Sequence, residues 1–192
     1  MGPSALTGSP AFAADGGSSD SGADEEQYGF MVRVGNCVDC ERCVEACRKH
    51  NGTPDNVAAR RKITAYKKPN GKTVYIPTSC MQCAEPACLT VCPAGAISKG
   101  KGGIVVVDHD RCIGCKYCYQ ACPYGVPHYT SEGMDKCDCC LGNGVELGDT
   151  PWCVKACRFD ALEYGKISDL IAKTNGQAQQ MEGTTGPSFL LR

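Results

Sequence analysis

Sixteen of the chain's seventeen cysteines fall into four quartets, and their spacing is what could do chemistry. Cys37, Cys40, Cys43 and Cys47 read C-x2-C-x2-C-x3-C, and Cys112, Cys115, Cys118 and Cys122 repeat that spacing. Cys80, Cys83, Cys88 and Cys92 read C-x2-C-x4-C-x3-C, while Cys137, Cys140, Cys153 and Cys157 read C-x2-C-x12-C-x3-C, leaving Cys139 over. A C-x2-C-x2-C loop lets three thiolates converge on three irons of one iron-sulfur cubane while the intervening amides point at its sulfurs. The fourth cysteine sits on the helix that the loop opens and faces away from its own trio, toward a second cluster. Motifs of this kind occur in pairs, and here there are two pairs.

Other uses of cysteine fit less well. A disulfide framework suits an exported Cys-rich chain, but an odd count and three thiols packed into seven residues do not. Four structural zinc sites would use the C-x2-C pairs and leave the compact trios without a reason. Taken alone, the fourth quartet would pass equally for a zinc ribbon, and its company decides the reading.

The elements that must position these thiols are short. With 192 residues the chain holds one domain, or two small ones sharing a core. The hydrophobic share of 42% includes the 17 cysteines, so the apolar core is thin and something besides apolar burial, disulfides or metal, is expected to supply part of the cohesion. Twenty Lys and Arg against 21 Asp and Glu give a net charge of -1, which speaks against nucleic acid as a partner. No apolar run approaches the length of a membrane span.

Residues 1–27 differ from the rest. Ala14 to Gln27 is rich in Gly, Ser, Asp and Glu and reads as a disordered leader. Ala11-Phe12-Ala13 before it has the form of a signal-peptidase site, with cleavage expected after Ala13. Basic and apolar export regions do not precede it, so export is a secondary expectation beside a cytoplasmic alternative.

From Tyr28 the pattern predicts strand, cysteine loop, short helix and strand, repeated. Gly29 to Val34 alternates like a strand. Ile63 to Tyr66 and Thr73 to Ile76 flank Asn70-Gly71 as a hairpin, and Ala96 to Ser98 with Ile104 to Asp108 form another. Helices are expected over Arg42 to His50, Lys116 to Ala121 and Val154 to Ala156, with a strand over Ala161 to Tyr164. Ser168 to Lys173 reads as a helix capped by Ser168. The expected fold is α+β: two interleaved bacterial-ferredoxin-like modules over residues 28–165, around four iron-sulfur clusters. Residues 166–192 follow as a C-terminal helix and an extended tail lying over a neighbour's surface.

The stretches CVDCERCVEAC (Cys37 to Cys47), SCMQCAEPACLTVCPAGAI (Ser79 to Ile97), VVVDHDRCIGCKYCYQACPYG (Val105 to Gly125) and DKCDCC with PWCVKAC (Asp135 to Cys157) resemble a known family. It is the four-cluster iron-sulfur electron-transfer subunit of the dimethyl sulfoxide reductase, or molybdopterin oxidoreductase, superfamily. The resemblance implies that the first motif pairs with the fourth and the second with the third. One cluster would take Cys37, Cys40, Cys43 and Cys157, and its partner Cys137, Cys140, Cys153 and Cys47. The inner pair would take Cys80, Cys83, Cys88 with Cys122, and Cys112, Cys115, Cys118 with Cys92. In some relatives a non-cysteine ligand position makes a 3Fe-4S centre; every position here is Cys, which implies four 4Fe-4S clusters. Arg48 and Arg158, where ferredoxins have Pro after the last cysteine, are departures, and Cys139 is expected to be a buried bystander.

The resemblance also implies partners: a molybdenum or tungsten bis-pterin catalytic subunit, and a quinol-reactive membrane anchor or cytochrome. With the signal-peptidase-like site, the complex is expected on the extracytoplasmic, periplasmic side, associated with the membrane through its partners, with a cytoplasmic location as the alternative. The alternative function is a free-standing soluble polyferredoxin. Arg42, Arg111, Lys116, Lys136, Lys155 and Arg158 lie within two residues of ligands, and each is read first as a solvated surface charge, second as a cation that raises a cluster's potential. His50, His109 and His128 are isolated and read as surface or packing residues. No phosphate loop or catalytic constellation stands out, so a substrate would be handled by another protein.

Overall fold

The computed structural model describes residues 26–192. The Ala11-Phe12-Ala13 site and nearly all of the expected leader lie outside them. In chain order the elements are β1 (Tyr28–Val32), α1 (Arg42–His50), β2 (Lys62–Lys67), β3 (Thr73–Thr78) and α2 (Ala87–Thr90). Next come β4 (Ile97–Lys99), β5 (Val105–Val107), α3 (Tyr117–Ala121), β6 (His128–Thr130) and β7 (Gly133–Asp135). The series ends with α4 (Trp152–Lys155), β8 (Leu162–Lys166), α5 (Ile167–Lys173), β9 (Gln179–Gln180) and β10 (Phe189–Leu191).

Three antiparallel hairpins, β2–β3, β4–β5 and β6–β7, surround one four-stranded sheet of order β8-β1-β10-β9. The first hairpin turns over Lys68 to Lys72, where Gly71 takes φ 81° and the Asn70 side chain accepts from the Lys72 amide at 3.1 Å. The second turns through a 3-10 segment, Lys101–Gly103, with Gly102 and Gly103 left-handed. No helix among the described residues is long and apolar enough to cross a membrane.

The helices are too short to be stable alone, and they pair: α1 packs on α4, and α2 on α3. The helix after the first cysteine loop thus lies beside that of the fourth motif, and the second motif's beside the third's. Seven of the thirteen buried residues in the largest core cluster are cysteines, together with Phe30, Val32, Met81, Ile104, Leu162 and Phe189.

Several elements depart from the sequence expectation. Helix α4 begins at Trp152, placing Cys153 inside it. Helix α5 begins at Ile167 with Lys166 as N-cap and no side-chain cap, so Ser168 lies in its first turn instead of capping it. Helix α2 and hairpin β6–β7 have no counterpart in the sequence pattern.

The tail differs most. Phe189 and Leu190 are fully buried, and β10 pairs in parallel with β1, matching Phe30 to Phe189. The segment before it lies along the second cysteine loop, where the Ala84 amide donates to Gly186 O at 2.8 Å and Ser188 N–H to Met81 O at 2.8 Å. The apolar residues at the chain end thus pack within this protein's own sheet, which the cut at residue 165 would divide.

Two substitutions measure this closure. A Cβ on Gly29 would overlap the Ser188 carbonyl oxygen, so Gly29→Ala is expected to destabilise by about 1–3 kcal/mol through overpacking. Phe189→Ala should cost about 3–5 kcal/mol. Urea unfolding of the anaerobic holoprotein reads both as lowered midpoints. A midpoint unchanged in Phe189→Ala would mean that the chain end contributes nothing to the sheet.

Candidate iron-sulfur centres

The cysteine loops are wound by a repeated backbone device. In the first C-x2-C pair of each motif the residue just before the second cysteine is left-handed: Asp39 (φ 58°), Gln82 (φ 46°), Gly114 (φ 65°) and Cys139 (φ 59°). For a non-glycine this costs roughly 1–2 kcal/mol. The return is directional, because such a turn aims successive amides at one point. The Cys139 amide donates to Cys137 Sγ at 3.4 Å, and the Asp39 and Gln82 amides act in the same sense on Cys37 and Cys80, opposing the rise that burial causes. Glu41 and Lys116, just after the second cysteines of the first and third motifs, are also left-handed and cap α1 and α3. The internal repeat therefore extends to backbone dihedrals.

The thiols gather across motifs. Cys37, Cys40 and Cys43 line one cavity with Cys157 of the fourth motif, walled by Val38, Ile63, Pro77, Phe159 and Leu162 and holding about 300 Å³ of atom-free space, partly continuous with solvent. Cys112, Cys115 and Cys118 line another with Cys92 of the second motif, walled by Ile97, Ile113, Tyr129 and Met134 and holding about 320 Å³. Cys47 faces Cys137, Cys153 and Cys140, and burial together with these neighbours drives its pKa far up. Burial and the neighbouring Cys80, Cys122 and Cys83 push the Cys88 thiol up to about 12. Each group of four thus contains one cysteine from the partner motif.

Donors aim at the sulfurs from distant parts of the fold. The Ala96 amide donates to Cys92 Sγ at 3.3 Å and the Met134 amide to Cys112 Sγ at 3.4 Å. Thr185 Oγ1 donates to Cys83 Sγ at 3.2 Å, Tyr129 OH lies 3.0 Å from Cys118 Sγ, and Asn51 Nδ2 is 3.7 Å from Cys47 Sγ. None of these side chains carries a signal in the sequence: Thr185 is 102 residues from Cys83.

Cys139 is fully buried. Its sulfur accepts from Gln82 Nε2 at 3.5 Å, and Gln82 also bridges Cys137 O and the Val105 amide. The thiol of Cys139 donates to Cys137, and this bond, working against burial and helped by Arg61, lowers the Cys137 pKa to about 6. Burial in turn holds Cys139 itself well above the usual thiol range.

The charges near the ligands divide. Arg42, Arg111, Lys116, Lys155 and Arg158 are exposed, as a solvated-charge reading expects, whereas Lys136 is buried, donating to Val105 O and to Cys137 O at 3.1 Å. Arg61 is the buried cation that its sequence position, outside every motif, does not flag. Of the histidines, His50 stacks on Trp152 at 3.9 Å, His128 Nε2 sits 2.9 Å from Asp135 Oδ2, and His109 is exposed.

The residues present fit iron-sulfur clusters. All seventeen thiols are free of disulfides. Among the described residues no three His, Cys, Asp or Glu side chains converge tightly enough for a single metal ion; eight of the thiols instead line two cavities with apolar walls. All-thiolate ligation with amide and hydroxyl hydrogen bonds to sulfur is what such clusters require.

Comparison with known proteins agrees with this geometry. Residues 71–167 and, separately, residues 36–96 match families described as "4Fe-4S dicluster domain". The probable anaerobic dimethyl sulfoxide reductase subunit YnfG of Escherichia coli K12 is 42% identical over 160 residues, covering 77% of the present sequence and 77% of that protein. The B subunit of anaerobic dimethyl sulfoxide reductase is 41% identical in the same organism over the same coverage, and 37% identical in Haemophilus influenzae over 80% of each protein. Protein NrfC of E. coli K12 is 36% identical over 74% of the present sequence and 67% of its own length. With two dicluster matches and this identity over most of its length, the protein belongs to the 4Fe-4S dicluster family that includes the B subunits of anaerobic dimethyl sulfoxide reductase.

Proposed function

We propose that the protein is the electron-transfer subunit of an oxidoreductase complex, holding four 4Fe-4S clusters in two interleaved ferredoxin-like modules. The ligand sets are Cys37, Cys40, Cys43 and Cys157; Cys137, Cys140, Cys153 and Cys47; Cys80, Cys83, Cys88 and Cys122; and Cys112, Cys115, Cys118 and Cys92. The observation that carries the reading is the gathering of each group of four thiols across two motifs. The partners are a molybdenum or tungsten bis-pterin catalytic subunit, and a quinol-reactive membrane anchor or cytochrome. Supporting them, the relatives named above include subunits of dimethyl sulfoxide reductase.

Bound clusters supply one-electron redox chemistry. The protein's own residues fix their order, exclude water and place hydrogen bonds. Cys43 faces Cys153, and Cys80 faces Cys137, which orders the four sets as first, fourth, second and third motif. Thiols of the two middle sets are largely buried, whereas Cys40 and Cys115, in the two end sets, are exposed. Around these lie exposed apolar residues: Val38 and Phe159 at one end, Ile113 and Tyr117 at the other. Such rims let a partner dock close to an end set while water is displaced.

Iron and acid-labile sulfide on anaerobically purified protein test the reading: about sixteen of each per polypeptide are expected. Half that content would overturn the four-cluster assignment, and zinc without sulfide would overturn the function. Cys139→Ser should keep the full iron content. Gly133→Ala, whose Cβ would sit 3.0 Å from Cys112 Sγ on a left-handed backbone (φ 109°), should lose one cluster, bringing iron to about twelve. Co-purification of a pterin-bearing subunit is the expected outcome for partnership; a protein that always purifies alone would favour a free polyferredoxin.

A further inference from the structure

Two adjacent arginines precede β2 and face opposite environments. Arg60 is matched by acids: its guanidinium bonds Asp135 at 2.8 and 3.0 Å and Asp138 at 3.0 Å, and also Asn51 Oδ1 at 2.8 Å. Arg61 turns inward and is 1% exposed, the largest fully buried side chain in the protein's described part. Its Nη1 donates to Pro77 O at 3.2 Å and its Nη2 to Ser79 Oγ at 3.1 Å, while its Cζ stands 4.5 Å from the centre of the Phe30 ring. No carboxylate pairs with it among the described residues, and its Nε has no hydrogen-bond partner there.

A buried, unpaired guanidinium is unfavourable unless an anion faces it. What faces Arg61 is sulfur: its side chain is hydrogen-bonded with that of Cys153, and Cys137, Cys43 and Cys47 are its next charged neighbours, in the core that Phe30 shares. Three of the four cysteines belong to the set of Cys47, Cys137, Cys140 and Cys153, and Cys43 belongs to its neighbour. Lys136 occupies the corresponding place on the other side, acting on Cys80 and Cys88.

We infer that Arg61 is the internal counter-cation of the cluster held by Cys47, Cys137, Cys140 and Cys153, and that its charge raises that cluster's reduction potential, with a smaller effect on the cluster held by Cys37, Cys40, Cys43 and Cys157. The inference rests on the four-cluster reading. Reduction adds one electron to an already anionic thiolate-ligated cluster. A fixed positive charge in a low-dielectric surrounding favours the reduced form over the oxidised one. Arg61 neither gains nor loses a proton in the step.

The test is an EPR-monitored redox titration of the anaerobic full-length protein, wild type against Arg61→Met and Arg61→Lys. The cluster concerned is assigned by the signal that disappears in Cys140→Ser. In Arg61→Met its reduction equilibrium should fall at least tenfold, a shift of about 59 mV for one electron. The clusters of the second and third motifs should hold their potentials. Arg61→Lys should restore most of the shift. Unchanged potentials in an Arg61→Met protein with full iron would overturn the inference. If Arg61→Met loses iron, Arg61→Lys decides: retained iron with near-normal potentials supports the charge role, and iron lost from both variants overturns it in favour of shape. A wild-type iron content short of four clusters would instead strike the underlying reading, and it is seen before any variant is made.

Discussion

Cohesion in this fold comes from the demand that buried thiols be shared between halves of the molecule. The four helices beside the cysteine loops span nine residues or fewer, and α2 and α4 have only four residues each. None would persist alone. Each is fixed because a thiol on it or just past its end, Cys47 on α1 and Cys92, Cys122 and Cys157 after α2, α3 and α4, joins the cysteines of a motif far away in sequence. With seven cysteines among the thirteen buried residues of the main core, six of them in the four quartets, ordinary apolar burial is replaced at its centre largely by groups whose natural occupant is metal. Metal loading and folding are therefore expected to be one process.

That arrangement creates an electrostatic problem that the rest of the structure answers locally. Thiolates are costly to bury, and burial foremost pushes Cys43 and Cys140 up to about 11. Three kinds of opposing contribution recur: amides turned inward by left-handed residues, hydroxyl and amide side chains such as Thr185, Tyr129 and Asn51, and the two buried cations Arg61 and Lys136. The strained dihedrals at Asp39, Gln82 and Cys139 make sense only as part of this answer. It also explains why Cys139 can be a cysteine at all. Its place in the turn is set by backbone, while its side chain packs and donates a bond to Cys137.

The cysteine grouping is legible in the sequence because the geometry of a cysteine loop is local, and so are α1 and the first two hairpins, whose turn residues and flanking apolar pattern lie close together. What escapes is non-local. Hairpin β6–β7 has three-residue strands with no periodicity to read. Phe189 to Leu191 is equally short, and nothing in it signals a parallel partner as far away in sequence as Phe30 to Val32. Arg61 escapes for the same reason: nearness to a ligand along the sequence is no guide, since Arg61 is 14 residues from the nearest cysteine before it and reaches Cys153 only through the fold. Lys136 stands beside Cys137 in the sequence, yet reading it as a solvated charge fails, because a residue number says nothing of burial.

Closure of the sheet by the two ends of the folded protein links these observations. Strand β1 is clamped between β8, which follows the fourth motif, and β10, which arrives from the loop holding Thr185 against Cys83. Phe30 in β1 is packed by Tyr164 and Phe189 and carries Arg61 over its ring. The sheet therefore braces the wall against which the buried guanidinium rests, and the same tail secures the second motif. On the proposed reading, the two middle clusters sit where bracing is densest, and the end clusters lie under exposed apolar rims. A relay needs that division: fixed distances and little water in the interior, and access for partners where electrons enter and leave.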